Sequence, residues 1–147
     1  MSTPNQAQNF ENHAQRVPLF LFAAFVLFLT LIGAGVNLYQ SFGDHQRLYS
    51  ASLLFVLTFT MNIALFLART FPLKAQDRAI RAEENLRHYV LTGKLLDSRL
   101  SIQQIIALRF ASDDEFPGMA AKAAAEGTAP VDIKKAVKNW RADTHRV

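Results

Sequence analysis

Residues 17–68 read VPLFLFAAFVLFLTLIGAGVNLYQSFGDHQRLYSASLLFVLTFTMNIALFLA, which are two long apolar runs separated by a short polar break. No charged side chain occurs from Val17 to Gly43, and none occurs from Leu48 to Ala68. About 20 apolar residues suffice for a helix to cross the hydrocarbon core of a bilayer. The stretch therefore predicts a transmembrane hairpin over residues 17–71, with spans at about 18–38 and 48–68.

The ends of the two runs carry the features of membrane boundaries. The break YQSFGDHQR indicates a tight turn outside the membrane, and Tyr39 and Tyr49 flank it as aromatic residues do at membrane interfaces. Pro18 lies in the first turn of the first span, where its missing N–H costs least. A cleaved signal peptide is the alternative for the first run, with Gly33–Gly35 as the cleavage site. The length of this run and the second run directly after it favour a retained span.

Small and polar side chains recur within the spans at four-residue spacing, a pattern typical of close helix packing in membranes. Asn62 is the most polar of them, and in hydrocarbon its amide favours a hydrogen bond to a partner helix. A transport-path role for Asn62 would require charged or proline-broken companions in the spans, which the two runs lack. The predicted helix-packing residues in the membrane are Thr30, Ala34, Thr60, Asn62, Ala64 and Ala68.

Charge is distributed unevenly along the chain. Of its 16 Lys and Arg residues, 14 follow the second apolar run, and Arg47 is the only one in the polar break. Lys and Arg near membrane spans stay on the cytoplasmic side. The sequence therefore predicts a multi-pass protein of the cell membrane with both termini in the cytoplasm.

The rest of the 147 residues are enough for one small soluble domain. Residues 1–16 are polar and amide-rich, which indicates a tail without a core. Residues 72–147 are predicted to form a cytosolic module of about four helices. The chain has no cysteine, which excludes disulfides, thiolate metal sites and cysteine nucleophiles and fits a cytosolic location.

The module is predicted to begin with a charged helix from Lys74, after Phe71-Pro72 turns the chain out of the membrane. Gly93 is expected to end this helix as a left-handed C-cap. Apolar residues at 4-3-4-3 spacing form the seam of a coiled coil or of a docked helix, which packs inside the module or against a sister subunit. The seam consists of Ala75, Ala79, Ala82, Leu86 and Tyr89.

Helix-start patterns recur through the middle of the module. Residues 101–104, SIQQ, have the form of a capping box that opens a short apolar helix. The acids in the SDDE run at 112–115 suit a helix N-terminus, with Ser112 or an Asp as the cap and Pro117 in the first turn. A calcium loop would need more ligands around a central glycine. No metal site and no cofactor are therefore expected.

The last predicted helix, VDIKKAVKNWRADTHRV, has an apolar face opposite a basic face. Trp140 is expected to be buried against the isoleucines of the SIQQ helix, since a small module has few large apolar side chains to leave in water. The predicted cytosolic core is Leu86, Tyr89, Ile102, Ile105, Ile106, Val137 and Trp140.

Three interpretations of the basic face compete: a solvated surface, a contact with anionic lipid headgroups, and nucleic-acid binding. The last lacks helix-turn-helix chemistry or stacked aromatics, so nucleic acid is not an expected partner. The candidate anionic-lipid contacts are Arg69, Lys74, Arg78, Arg81, Lys134, Lys135, Lys138 and Arg141.

Four stretches resemble a bacterial family of small two-span membrane proteins catalogued as a domain of unknown function. They are NHAQRVPLF from Asn12, LRHYVLTGK from Leu86, IIALRFASDDEFP from Ile105 and IKKAVKNWRADTHRV from Ile133. The resemblance implies the two-span architecture and a bacterial inner membrane, and it brings no activity, substrate or cofactor. The chain departs from the pattern at Ala129, where a serine cap is expected, which leaves Thr128 to cap the last helix.

The sequence as a whole predicts an all-α membrane protein without an enzymatic site. Ser/His/Asp, paired-carboxylate and glycine-rich phosphate patterns are missing. The expected function is a membrane-anchored scaffold or interaction module that associates with its own copies. The alternative is an accessory or regulatory subunit of a larger membrane transport complex. The expected partners are the bilayer, further copies or a larger membrane protein, and anionic lipid headgroups.

Overall fold

The computed structural model describes residues 9–11 and 17–143, which form five helices and no strand. The all-α class is thereby confirmed. The described residues divide into two compact units, residues 17–72 and residues 73–143 together with residues 9–11. We call them the hairpin unit and the C-terminal unit. The helices are α1 (Pro18–Gln40), α2 (His45–Thr92), α3 (Ile102–Leu108), α4 (Phe116–Glu126) and α5 (Pro130–Ala136).

The hairpin unit consists of α1, a short turn and the first part of α2. Gly43 has φ +100°, a left-handed conformation that glycine adopts without strain. Asp44 Oδ1 accepts hydrogen bonds from the backbone amides of Gln46 at 3.1 Å and Arg47 at 3.3 Å. Asp44 therefore caps the N-terminus of α2, a role that the sequence analysis did not assign to it.

Both helices of the hairpin unit are long and apolar enough to cross a membrane. Of the most apolar 18 residues of each helix, 0% are buried within the structure in α1 and 11% in α2. Large side chains such as Leu19 and Phe22 are 76% and 65% exposed. The apolar surface of these helices is thus not used to build a core within the described chain.

The helices α1 and α2 pack along faces of small side chains. Ala34 on α1 and Ala51 and Thr58 on α2 are buried. Asn62 Nδ2 donates to the carbonyl oxygen of Leu27 at 3.3 Å and to that of Thr58 at 2.8 Å. The Asn62 amide therefore links the two helices, because one of its hydrogen bonds crosses from α2 to α1.

The prediction that the chain turns at Phe71-Pro72 is wrong, because α2 continues through Pro72 to Thr92 as one helix of 48 residues. An interior proline removes one backbone hydrogen bond at a cost of about 3 kcal/mol. The helix-forming residues after Pro72, rich in Ala, Glu and Arg, sustain the helix beyond it. Gly93, at φ +73°, ends α2 as predicted, and its amide donates to the carbonyl oxygen of Tyr89 at 2.8 Å.

The C-terminal unit has a core of its own, in which α3 packs against α4 and α5. Its largest fully buried side chains are Phe110, Phe116, Ile105 and Leu108. Met119, Ala124 and Trp140 are partly buried against this core. The buried core cluster comprises Leu96, Leu100, Ile105, Ala107, Leu108, Ala111, Phe116, Ala120, Ala123, Ile133 and Val137.

Of the predicted helix caps, the capping box of α3 is confirmed. The Ser101 hydroxyl accepts from the Gln104 amide, and the Gln104 side chain accepts from the Ser101 amide at 2.8 Å. The caps assigned to Ser112 and Thr128 are wrong. The N-cap of α4 is Glu115 and that of α5 is Ala129, and neither makes a side-chain cap hydrogen bond.

The last helix is much shorter than predicted, because α5 ends at Ala136. The Glu115 carboxylate accepts hydrogen bonds from the backbone amides of Lys138 at 3.2 Å and Asn139 at 3.5 Å. The Arg141 amide donates to the carbonyl oxygen of Phe110 at 2.8 Å. These tertiary hydrogen bonds take up donors that a longer helix would have used internally.

Candidate functional site

The most connected polar side chain of the C-terminal unit is Arg87 on α2, which is only 11% exposed. Its Nε donates to Asp113 Oδ1 at 2.7 Å, its Nη1 to Glu84 Oε2 at 3.0 Å and its Nη2 to the carbonyl oxygen of Ala111 at 2.7 Å. The guanidinium carbon lies 4.4 Å from the centre of the Phe116 ring. Arg87 therefore ties α2 to the segment between α3 and α4.

A cavity of about 370 Å³ lies beside this network, within the C-terminal unit. Arg109 Nη2 is 3.2 Å from Asp143 Oδ2, and Arg141 Nη1 is 3.8 Å from Glu84 Oε1, so these charges offset one another in pairs. Among the described residues, the lining has no Ser, Thr, His or Lys side chain. It is formed by Gln76, Ala79, Ile80, Glu83, Glu84, Arg109, Arg141, Ala142 and Asp143.

Arg109 is the more deeply buried of the two arginines of this lining, with 8% of its side chain exposed. Burial lowers the pKa of its guanidinium group, and the carboxylates of Asp143 and Glu84 act in the opposite direction. Its Nη2 pairs with Asp143, whereas its buried Nε has no hydrogen-bond partner among the described residues. The guanidinium carbon lies 4.8 Å from the centre of the Phe110 ring. Arg109 therefore fixes the segment around Asp143 against the core.

The predicted helix-packing residues fall on two different faces of the hairpin unit. Ala34 is buried and Asn62 half-buried where α1 meets α2. The remaining four are exposed, so they lie outside the contact between α1 and α2 in the described chain, and their role in helix packing stays a prediction. The α1–α2 contact runs instead through positions such as Ala51 and Thr58. The exposed four are Thr30, Thr60, Ala64 and Ala68.

Two of the predicted core residues are not in the core. Leu86 is 64% exposed and Tyr89 is 54% exposed. The face of α2 that packs on the unit carries Ile80, Glu84 and Arg87. The apolar pattern was misleading because the inward face of this helix is largely polar.

Of the other predicted core residues, Ile105 and Val137 belong to the core cluster and Trp140 packs against it, whereas Ile102 and Ile106 do not belong to the cluster. Ile105 and Val137 are buried, and Ile102 and Ile106 are half-buried. The ring of Trp140 lies 4.9 Å from that of Phe110, centre to centre. Trp140 and Ala111 also form an isolated antiparallel β-bridge.

Phe110 and Phe116 are the principal core residues that the sequence analysis missed. Both flank the SDDE run, and no helical periodicity marks them because neither lies inside a long amphipathic helix. The run itself also has a different role from the one expected. Asp113 binds Arg87, and Glu115 binds the segment after α5. The sequence signal that could have identified these two core residues was the large aromatic residue on each side of the SDDE run.

The candidate lipid-binding side chains differ in their surroundings. Arg69 lies over the Phe20 ring at 5.7 Å, and Arg141 lies near Glu84. Lys134 lies 5.6 Å from the centre of the Phe110 ring, and burial, reinforced by Arg109, lowers its pKa. These three have neighbours within the chain. Arg141 is nevertheless exposed, as are the other five, Lys74, Arg78, Arg81, Lys135 and Lys138, of which Lys135 lies 5.9 Å from the centre of the Phe10 ring.

Within the described residues no group of three or more His, Asp and Glu side chains has an arrangement suited to a metal ion. No curated protein and no solved structure matches the chain. A family of unknown function, DUF6526, does match, over residues 4–147. The expected resemblance to such a family is thereby confirmed. Because the match covers nearly the whole length, this chain belongs to the family of unknown function DUF6526.

Proposed function

We propose that this chain is a membrane-anchored, non-enzymatic interaction module of the bacterial inner membrane. In this proposal α1 and the first part of α2 cross the bilayer. The C-terminal unit is displayed on the cytosolic face, where it binds further copies of the chain. Both termini lie in the cytoplasm.

The observation that carries the proposal is the exposed apolar surface of the hairpin unit. Side chains such as Phe25, Phe28 and Phe66 are 60%, 55% and 66% exposed. Soluble monomers rarely expose contiguous apolar patches larger than a few hundred Å². Lipid tails are the environment in which such a surface carries no cost.

The orientation rests on the positive charges at the two ends of the hairpin unit. Arg69, Lys74, Arg78 and Arg81 follow the second span closely, whereas the turn contains only Arg47. The exposed lysines and arginines of the C-terminal unit would then face an anionic leaflet. Each such charge near the surface contributes about 1 kcal/mol of lipid attraction, which salt screens.

Cysteine labelling in intact cells tests the orientation, because the native chain contains no cysteine. Phe42 in the turn is 69% exposed, and Ala121 is exposed on α4. We expect an impermeant thiol reagent to label Phe42→Cys in intact cells, and Ala121→Cys only after the membrane is permeabilised. The opposite labelling pattern would show that the topology is the reverse of the proposed one. Release of the protein by alkaline carbonate would refute membrane anchoring.

A second candidate function is an accessory or regulatory subunit of a larger membrane transport complex. Thr30, Thr60, Ala64 and Ala68 favour it, because these small side chains are exposed and leave room for the helix of another protein. Recovery of a channel or transporter with the mildly solubilised protein would support this function. Recovery of a discrete homo-oligomer alone would support self-association.

A further inference from the structure

The apolar seam of α2 is the most continuous uncovered apolar strip of the C-terminal unit. Its five residues, Ala75, Ala79, Ala82, Leu86 and Tyr89, are all exposed. Val90, beside the seam, is 74% exposed. The opposite face of α2, around Ile80 and Glu84, is buried against the unit. Most of the seam therefore lies on the side of α2 that is turned away from the core of the unit, and Ala79 lies at its edge, where it also lines the cavity beside Arg109.

We propose that a second copy of this chain covers the seam, so that the α2 helices of two copies pack in parallel as a short coiled coil. The inference rests on the proposed function, since it names the partner and the surface of the self-association. Two copies inserted in the membrane in the same orientation are related by an axis along the membrane normal. Such an axis brings identical positions of the two helices side by side.

The spacing of the seam defines a heptad register. Ala79 and Leu86 occupy a positions, and Ala75, Ala82 and Tyr89 occupy d positions. The alanines allow close approach of the two backbones, whereas Leu86 and Tyr89 supply large apolar layers. A strip that meets its own copy across a two-fold axis is self-complementary, as a symmetric dimer requires.

The charges beside the seam favour the parallel pairing. In this register Arg78 occupies a g position and Glu83 an e position, and both side chains are exposed. In a parallel coiled coil a g residue faces the e residue five positions later on the partner helix. Arg78 therefore meets Glu83 of the partner subunit, and symmetry produces this ion pair twice. An antiparallel pairing of the whole seam would place Arg78 against Asn85 of the partner subunit, so this ion pair would not form.

The seam is short, and an isolated coiled coil of two heptads is marginal in water. Anchoring in a membrane changes this balance. It confines the copies to a plane and fixes their direction, which raises their effective concentration at the seam. The predicted dimer is thus a property of the anchored full-length chain.

Disulfide cross-linking of the full-length protein in native membranes tests the surface. Ala82→Cys lies on the seam, and Ala121→Cys is the matched control, an exposed alanine on α4. A disulfide requires Cβ atoms about 4 Å apart, so only facing positions cross-link efficiently. We expect mild oxidation to give a dimer with Ala82→Cys and none with Ala121→Cys. Equal cross-linking at the two positions, or none at Ala82→Cys, would overturn the proposal.

Charge reversal tests the register. In the Ala82→Cys background, Arg78→Glu alone and Glu83→Arg alone each place like charges across both symmetric pairs. We expect the dimer population to fall roughly tenfold in each. Co-expression of the two variants with different tags restores opposite charges in the mixed dimer, so the cross-link should return between differently tagged chains. Failure of the mixture to recover would refute the parallel register.

The same variants separate this inference from the proposed function. The emission of Trp140, the single tryptophan, reports whether the C-terminal unit remains folded in each variant. A protein that stays oligomeric in detergent without an Ala82→Cys cross-link would refute the seam as the surface and leave self-association standing. A monomer in both membranes and detergent would refute both.

Discussion

At the scale of single residues, Arg87 is the side chain on which the C-terminal unit depends most. The Glu84 carboxylate beside it is only 7% exposed, so the arginine neutralises a charge that water scarcely reaches. Removing one partner of a buried ion pair typically costs about 3–5 kcal/mol, because the other charge is left uncompensated. We expect Arg87→Met to lower the unfolding free energy of the unit by about this amount, as measured by Trp140 fluorescence during urea titration in detergent.

Arg81→Met is the matched control, since Arg81 is an exposed arginine on the same helix. Its loss should change the unfolding free energy by less than about 0.5 kcal/mol. Equal urea midpoints of unfolding for the two variants would show that the Arg87 contacts contribute little to the stability of the unit. In Arg87→Met, Arg141 compensates the charge of Glu84 only in part, because it lies 3.8 Å from Glu84 and is 56% exposed.

Asp97 provides a pH-dependent test at the same scale. Its carboxylate accepts hydrogen bonds from the Arg99 side chain at 2.7 and 3.0 Å and from the Arg99 amide at 2.9 Å. These bonds lower the pKa of Asp97 from 3.8 to about 2. A carboxyl group with a lowered pKa stabilises the folded state above its ordinary pKa, and this contribution is lost as the pH falls from 3.8 through about 2.

We expect the NMR titration of the Asp97 carboxyl carbon to have its midpoint near 2. In Arg99→Ala the midpoint should rise toward the ordinary value, because the hydrogen bonds from the Arg99 side chain are the largest cause of the lowered pKa of Asp97. An unchanged Asp97 midpoint in Arg99→Ala would exclude this cause.

At the scale of elements, the segment after α5 closes the C-terminal unit. Trp140 packs against Phe110 and pairs with Ala111, and Val137 is buried in the core. Replacing a buried tryptophan by alanine costs about 3–5 kcal/mol, and the half-buried Trp140 belongs at the lower end. We expect Trp140→Ala to accelerate hydrogen exchange of the α3 and Phe110 amides. Val131→Ala, at an exposed apolar position on α5, should leave these amides protected.

Elements set by local chemistry were predictable from the sequence. The Ser101 capping box and the Gly93 C-cap depend on a few adjacent residues, and the structure has both. The end of α5 was not predictable, because it is determined by Glu115, which is distant in the sequence. The burial of α2 was also not predictable, since its inward face carries the charged Arg87 and Glu84 beside the apolar Ile80.

At the scale of the whole molecule, the two apolar helices were the clearest signal in the sequence, because their length and lack of charge are independent of tertiary contacts. The candidate site was foreseen less well. The seam of α2 was predicted to pack inside the module or against a sister subunit, and only the structure shows that its residues remain exposed. The Arg109 cavity was not foreseen, since its lining comes from separate segments.

The β-bridge between Ala111 and Trp140 also bears on the order of events during synthesis of the chain. A ribosome adds about 5–20 residues per second, so Trp140 is synthesised on the order of 10 s after the apolar helices. The core of the C-terminal unit stays open until then, because Phe110 and Ala111 lack their contacts with Trp140. In the proposed membrane-anchored chain, delivery of the apolar helices to the translocation machinery would therefore precede closure of the unit, and the two events would not compete.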